Sequence, residues 1–179
     1  FNQVYAYETQ INQFHITVDE ACMKVLAKQS PMASDLRFVL GCIKINADLE
    51  RMGDQAVNIS HCGREYLAEI SLKPLVDLPK MGAAVRAMTR DALDAFFRQD
   101  EELAKSVLLQ DDAVDAFKRN IFDELIETMK KDPSTVDRAM DLILISRNLE
   151  RIGDHATNIA EDVIYLVQAE VVRHHPEKF

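Results

Sequence analysis

Apolar residues along this chain recur at steps of three and four. Leu49, Met52, Ala56 and Ile59 make one such series, and Leu149, Ile152, Ala156 and Ile159 make another. On a helix turning about 100° per residue, each series forms a single stripe that should face a core. Val, Ile and aromatic residues nowhere alternate with polar ones for long, so strands are not expected. Strong punctuation is scarce: the 179 residues include five glycines and five prolines. Where it occurs, it is informative. Ser30-Pro31 and Asp132-Pro133 each place a capping residue before a proline at a first helical position. Lys28, and then Lys130 and Lys131, precede these pairs and suit helix C-termini. Both read as tight helix–turn–helix joints. The stretch from Lys73 to Pro79, with Pro74 and Pro79, reads as a linker, and Asp100 as a further helix cap. The pattern predicts helices over 3–29, 32–69, 80–98, 101–131 and 134–170.

The two apolar stripes belong to a duplication. The segment Leu49–Ile59 recurs as Leu149–Ile159 with eight of eleven positions identical. Unrelated segments would share about one position by chance, so this is an internal repeat. The second copy is led by two predicted helices and the first by one. Equivalent halves would leave the first short of a leading helix.

A second set of positions is repeated with the stripe. Glu50, Asp54 and Asn58 are spaced by four, as are Glu150, Asp154 and Asn158. Each trio lines a helix face roughly opposite the apolar one. Taken alone, such a face is a solvated acidic surface. The hairpins alter that reading. Glu8 and Asp54 are equally far in sequence from Pro31, and so are Asn12 and Glu50. In an antiparallel pair they share a height, ~30 Å from the turn. Asp111 and Asp115 stand in the same relation to Asp154 and Glu150 across Pro133. Each hairpin thus sets two acid-xxx-acid pairs side by side, with Asn12 the one non-acid among the eight. Crowded carboxylates repel, and a cation between them is the economical reason to crowd them twice. Oxygen ligands favour Mg²⁺, Mn²⁺, Ca²⁺ or iron, with Zn²⁺ less suited. Asn58 and Asn158 could add amide oxygens. Arg51 and Arg151 could instead offset the acids by pairing with them. Gly53 and Gly153 each cost a helix about 1 kcal/mol against alanine, and their repetition points to close helix approach or room for a ligand.

Charge narrows the partners. The formal net charge is −9, and each half is acidic: 7 basic against 10 acidic residues before Lys80, 14 against 20 from it onward. No basic stripe is available for nucleic acid. No apolar run approaches the ~20 residues of a spanning helix, so membrane insertion is not expected. The cysteines Cys22, Cys42 and Cys62 form no CxxC pair and read as small apolar thiols of a reducing compartment. No nucleophile–base arrangement and no phosphate-cradling glycine loop is present. The repeated faces would repel free phosphate.

The repeated Leu-Glu-Arg-(Ile/Met)-Gly-Asp-x-Ala-x-Asn-Ile segment resembles that of the PhoU family. So does Gln29-Ser30-Pro31-Met32-Ala33-Ser34-Asp35-Leu36-Arg37. The resemblance covers essentially the whole chain in two copies. It implies an all-α fold of tandem three-helix bundles, here 1–73 and 74–179, with the first lacking its leading helix and so exposing one side of its core. By position it implies metal sites at Glu8, Asn12, Glu50 and Asp54, and at Asp111, Asp115, Glu150 and Asp154, with Mg, Mn, Fe or Zn as the ion. Asn12 departs from the acidic form. The resemblance also implies a cytoplasmic, often homodimeric, non-enzymatic regulator that restrains the phosphate-starvation response. Its partners would be a sensor histidine kinase and the phosphate ABC transporter. Two alternatives compete: a carboxylate-bridged di-metal enzyme, and a metal-free interaction bundle. The first would use Glu-x-x-His pairs facing a bundle interior. This chain has none, and its acids oppose the apolar stripe.

Overall fold

A computed structural model describes residues 1–68, 72 and 77–169. Its secondary structure is helical throughout these residues: α1 (Asn2–Gln29), α2 (Ser34–Ala68), α3 (Asp77–Arg98), α4 (Glu101–Lys131), a single 3₁₀ turn (Pro133–Thr135) and α5 (Val136–Gln168). The all-α expectation therefore holds, with five helices at nearly the expected places.

The joints show how the sequence ends each helix. Asp132 takes an extended backbone, and its carboxylate accepts from the Ser134 N–H at 3.0 Å and the Ser134 hydroxyl at 2.7 Å. Pro133 follows it, as expected, although the first turn is 3₁₀. Asp100 caps α4 by accepting from the Leu103 N–H at 3.0 Å. The other joint differs from expectation. Ser30 does not cap α2; it closes α1 in the left-handed region, with φ 45°. The residue before a proline is barred from the right-handed helical region, which ends the helix there. Ala33 is also left-handed, at φ 47°, and α2 begins at Ser34 rather than at position 32. The linker is shorter than expected as well. Pro74 lies outside the described residues, whereas Asp77, Leu78 and Pro79 form the first turn of α3. Proline costs little there because a first-turn N–H has no helical partner.

Three helices, α3, α4 and α5, pack on one another as a bundle. α1 and α2 form a hairpin, and α1 touches no other described element. The most extensive pairing joins the halves: α2 runs against α5. The two are antiparallel. A Cβ on Gly41 would meet Leu166 at 2.9 Å, Lys44 pairs with Asp162, and Asp48 pairs with His155. One core results. Met81, Met88, Val107, Val114, Ile121, Leu125, Ile159 and Ile164 fill it, and α2 contributes Ile45 and Met52. α1 buries one residue, Cys22. Tyr7, Phe14, Ile16 and Met23 of α1 stay exposed, as the expectation of an incompletely covered first repeat requires.

Candidate metal centre

The repeated glycines differ in how tightly they are packed: Gly53 sits at a close approach, whereas Gly153 has room for a methyl group. Gly53 and Gly153 are buried where α2 meets α1 and α5 meets α4. A Cβ on Gly53 would lie 3.3 Å from Ile11, and one on Gly153 would lie 3.6 Å from Val114 and 4.0 Å from the Asp111 carboxylate. Ile11 and Val114 thus hold equivalent places, and the hairpins share one register. That register places Glu8 and Asn12 of α1 where Asp111 and Asp115 of α4 stand.

At the second cluster the acids feel one another. Asp111, half-buried, is pushed up to about 6, first by loss of water and then by repulsion from Asp154, Asp115, Asp112 and Glu150. Asp154 is raised by partial burial and then by Glu150 and Asp115, with His155 and Lys118 opposing. As a residue Asp154 remains exposed, so water screens much of its share. The repulsion is that of like charges in one place. Its partial relief comes from Lys118 of α4, whose Nζ lies 2.6 Å from Glu150. Arg119 approaches Asp115 at 3.9 Å. Arg51 and Arg151, the alternative means of offsetting the acids, are both exposed and make no ion pair among the described residues. Lys118 takes that part, and no repeated motif marks it.

The first cluster is milder. The Asn12 amide donates to Glu8 at 2.5 Å, while its carbonyl oxygen is buried with no partner among the described residues. Glu50 is half-buried; Asp54 and Asn58 are exposed. Asn158 turns away from its acids and donates to Asp48 at 3.5 Å.

These residues fit a hard cation by the chemistry of the donor set: four mutually repelling carboxylates at one site, and an unpaired buried amide oxygen at the other. They do not make a finished cage. Among the described residues, no three carboxylate, imidazole or thiol groups already stand together as a metal coordination set. Glu150 would have to exchange Lys118 for the ion.

A connection between the halves was not anticipated. His155 Nδ1 lies 2.8 Å from Asp48, both well buried between α2 and α5. At the equivalent places stand Gln55, whose carbonyl oxygen is buried without a partner among the described residues, and Asn148, whose amide donates to the Leu144 carbonyl at 2.7 Å. Lys44–Asp162, at 2.8 Å, likewise has Leu144 and Cys62 as counterparts. Comparing the two copies position by position would have exposed both pairs. The thiols Cys22, Cys42 and Cys62 are all free, each raised chiefly by burial.

Comparison with known proteins agrees with this arrangement. The pattern of the PhoU domain matches residues 1–62 and 78–163, one match per half. The chain belongs to the PhoU domain family. The phosphate-specific transport system accessory protein PhoU homolog of Pseudomonas putida is 43% identical over 96% of this chain and 68% of its own length. The Escherichia coli K12 accessory protein PhoU is 35% identical over 93% and 69%. The crystal structure of PhoU from Pseudomonas aeruginosa superposes with a TM-score of 0.90 at 40% identity, covering 94% of this chain and 81% of that one. The phosphate transport system regulatory protein PhoU of Streptococcus pneumoniae gives 0.85 at 28% identity, over 96% and 80%. Among the described residues of this PhoU-family chain, no helix is long and apolar enough to cross a membrane.

Proposed function

We propose that this chain is a non-enzymatic, cytoplasmic regulator of phosphate uptake, built of repeats 1–73 and 74–179. It would act by contacts with the phosphate ABC transporter and a sensor histidine kinase. The observation that carries the regulator is the PhoU match in both halves, together with relatives whose names describe an accessory to phosphate transport.

The metal part of the reading is carried by the crowding around Asp111. Asp111, Asp115, Glu150 and Asp154 would hold a divalent or iron cation, with Glu8, Asn12, Glu50 and Asp54 as the weaker counterpart. When bound, such an ion supplies positive charge that relieves the repulsion among these acids. The chain's own residues do the rest. Val114 packs beside Gly153 where α5 meets α4, and Lys118 holds Glu150 while it is free. The Lys118–Glu150 pair also favours a second reading, a metal-free interaction bundle whose acids meet cations of the protein or its partners.

The regulator reading is tested in a bacterium deleted for its own accessory protein and carrying a phosphate-starvation reporter. Expression of this chain is expected to restore repression in phosphate-rich medium, and the chain is expected to co-purify with the transporter or the kinase. A reporter that stays fully induced, with neither partner retained, would overturn the reading.

A further inference from the structure

The repeats also differ on the side where α4 meets α5. A cleft of about 460 Å³ opens there, its apolar lining including Phe122 and Ile143. Lys118, Arg119 and Arg147 stand around it, with Asp123 as the one acid. Lys118 is held by Glu150 at 2.6 Å and Arg119 lies at a long 3.9 Å from Asp115, both partners being outside the lining. Arg147 is exposed and makes no recorded hydrogen bond or ion pair among the described residues. Phe122 leaves 47% of its surface open beside it.

The first repeat shows that the fold does not require this. Given the shared register of Ile11 with Val114 and of Gly53 with Gly153, the counterparts of Lys118, Arg119, Phe122 and Arg147 are His15, Ile16, Asp19 and Ala47. There the space is used internally. Asn46 donates to the His15 carbonyl and to Asp19, each at 2.9 Å, and His15 lies 3.3 Å from Asp19. At the Asn46 position the second repeat has Ser146, whose hydroxyl donates to the Ile143 carbonyl of its own helix. Ser146 thus turns to its own helix, and the Lys118–Glu150 pair is the bridge between the two helices here among the described residues, with Arg147 facing outward.

We propose that this cleft is a docking site for an acidic segment of a partner protein, with carboxylates alternating with Leu or Phe. The carboxylates would meet Arg147, and Arg119 in exchange for its long, exposed contact with Asp115; planar guanidinium groups suit bidentate pairing. The apolar side chain would lie on Phe122 and Ile143. Such a half-apolar, charge-complementary cleft fits a peptide better than a lone anion, which has no use for the aromatic surface. The site rests on the reading of the chain as a contact-making regulator, but it is measured on purified protein and stands or falls apart from the reporter result.

Fluorescence anisotropy of a labelled peptide alternating Glu with Leu and Phe tests it, at fixed ionic strength. Saturable binding is expected, weakened about tenfold or more by Arg147→Glu or Arg119→Glu, since lost charged hydrogen bonds cost that much. Phe122→Ala, and a peptide with Ser in place of Leu and Phe, should each weaken it several-fold. Arg64→Glu, an exposed change on α2, should leave it unaltered. Unchanged binding in Arg147→Glu, or absence of saturable binding, would overturn the proposal. So would full displacement of the peptide by inorganic phosphate at matched ionic strength, which would mark a small-anion site instead.

Discussion

The two repeats carry the same eleven-residue motif on helices of the same register, yet one is packed and the other thin. In the second, Met81, Met88, Ala92 and Ala95 of α3 are completely buried, and α4 and α5 close around them. In the first, α1 leans on α2 alone and buries only Cys22. The difference separates two properties of the motif. Its spacing sets acid beside acid in both halves. Burial then decides what those acids feel: Asp111, against a full bundle, is pushed up to about 6.

The largest expected contrast is in packing. Ile121 and Val18 occupy equivalent places, the first 1% exposed and the second half-buried. Ile121→Ala should cost about 3–4 kcal/mol in urea unfolding, and Val18→Ala about 1 kcal/mol or less. Equal costs would mean that the first hairpin is as well packed as the second.

Next comes the contact between halves. Asp48→Ala leaves His155 and Asn158 without their acceptor and should destabilise by about 1–3 kcal/mol. Gln55→Ala, at the position equivalent to His155, removes a group whose carbonyl oxygen lacks a partner among the described residues. It should cost less, about 1 kcal/mol at most. Thermal unfolding of both variants checks the order.

Acidity separates the clusters further. In metal-free protein Asp111 holds its proton more tightly when folded than when unfolded. The folded state is therefore favoured below the ordinary carboxylate range and loses that advantage as pH rises toward about 6. Asp111→Asn should raise the melting temperature at neutral pH and flatten its dependence on pH between 4 and 6.

The smallest effects belong to the glycines. Gly153→Ala places its methyl at an ordinary distance from Val114 and should gain about 0.5–1 kcal/mol from helix propensity. Gly53→Ala meets Ile11 at 3.3 Å, so the gain should be largely cancelled. Paired melting curves suffice to separate them.

Much of this was legible in the sequence because it depends on period and spacing. The 3-4-3 stripes, the duplication, the caps at Asp100 and Asp132, and the two helical hairpins all follow from local chemistry. The start of α2 was missed because Ser30-Pro31 can be read as a cap or as a stop, and the left-handed Ser30 and Ala33 chose the stop. Lys118, Asp48 and Arg147 were missed for a different reason. Their roles arise between helices distant in sequence, and they stand where the two copies differ, whereas a repeat draws the eye to what is shared. The acid clusters were legible as positions only; that Lys118 already engages Glu150 depends on a rotamer that spacing does not encode.

Of the two proposed cation sites, the second should be the stronger. The direct measurement is calorimetric titration of Mn²⁺ into chelator-stripped protein, compared with Glu150→Ala/Asp154→Ala and with Glu50→Ala/Asp54→Ala. Saturable binding is expected, abolished by the first pair of substitutions and reduced only in part by the second. No saturable binding in the unaltered protein, or binding indifferent to Glu150 and Asp154, would contradict it.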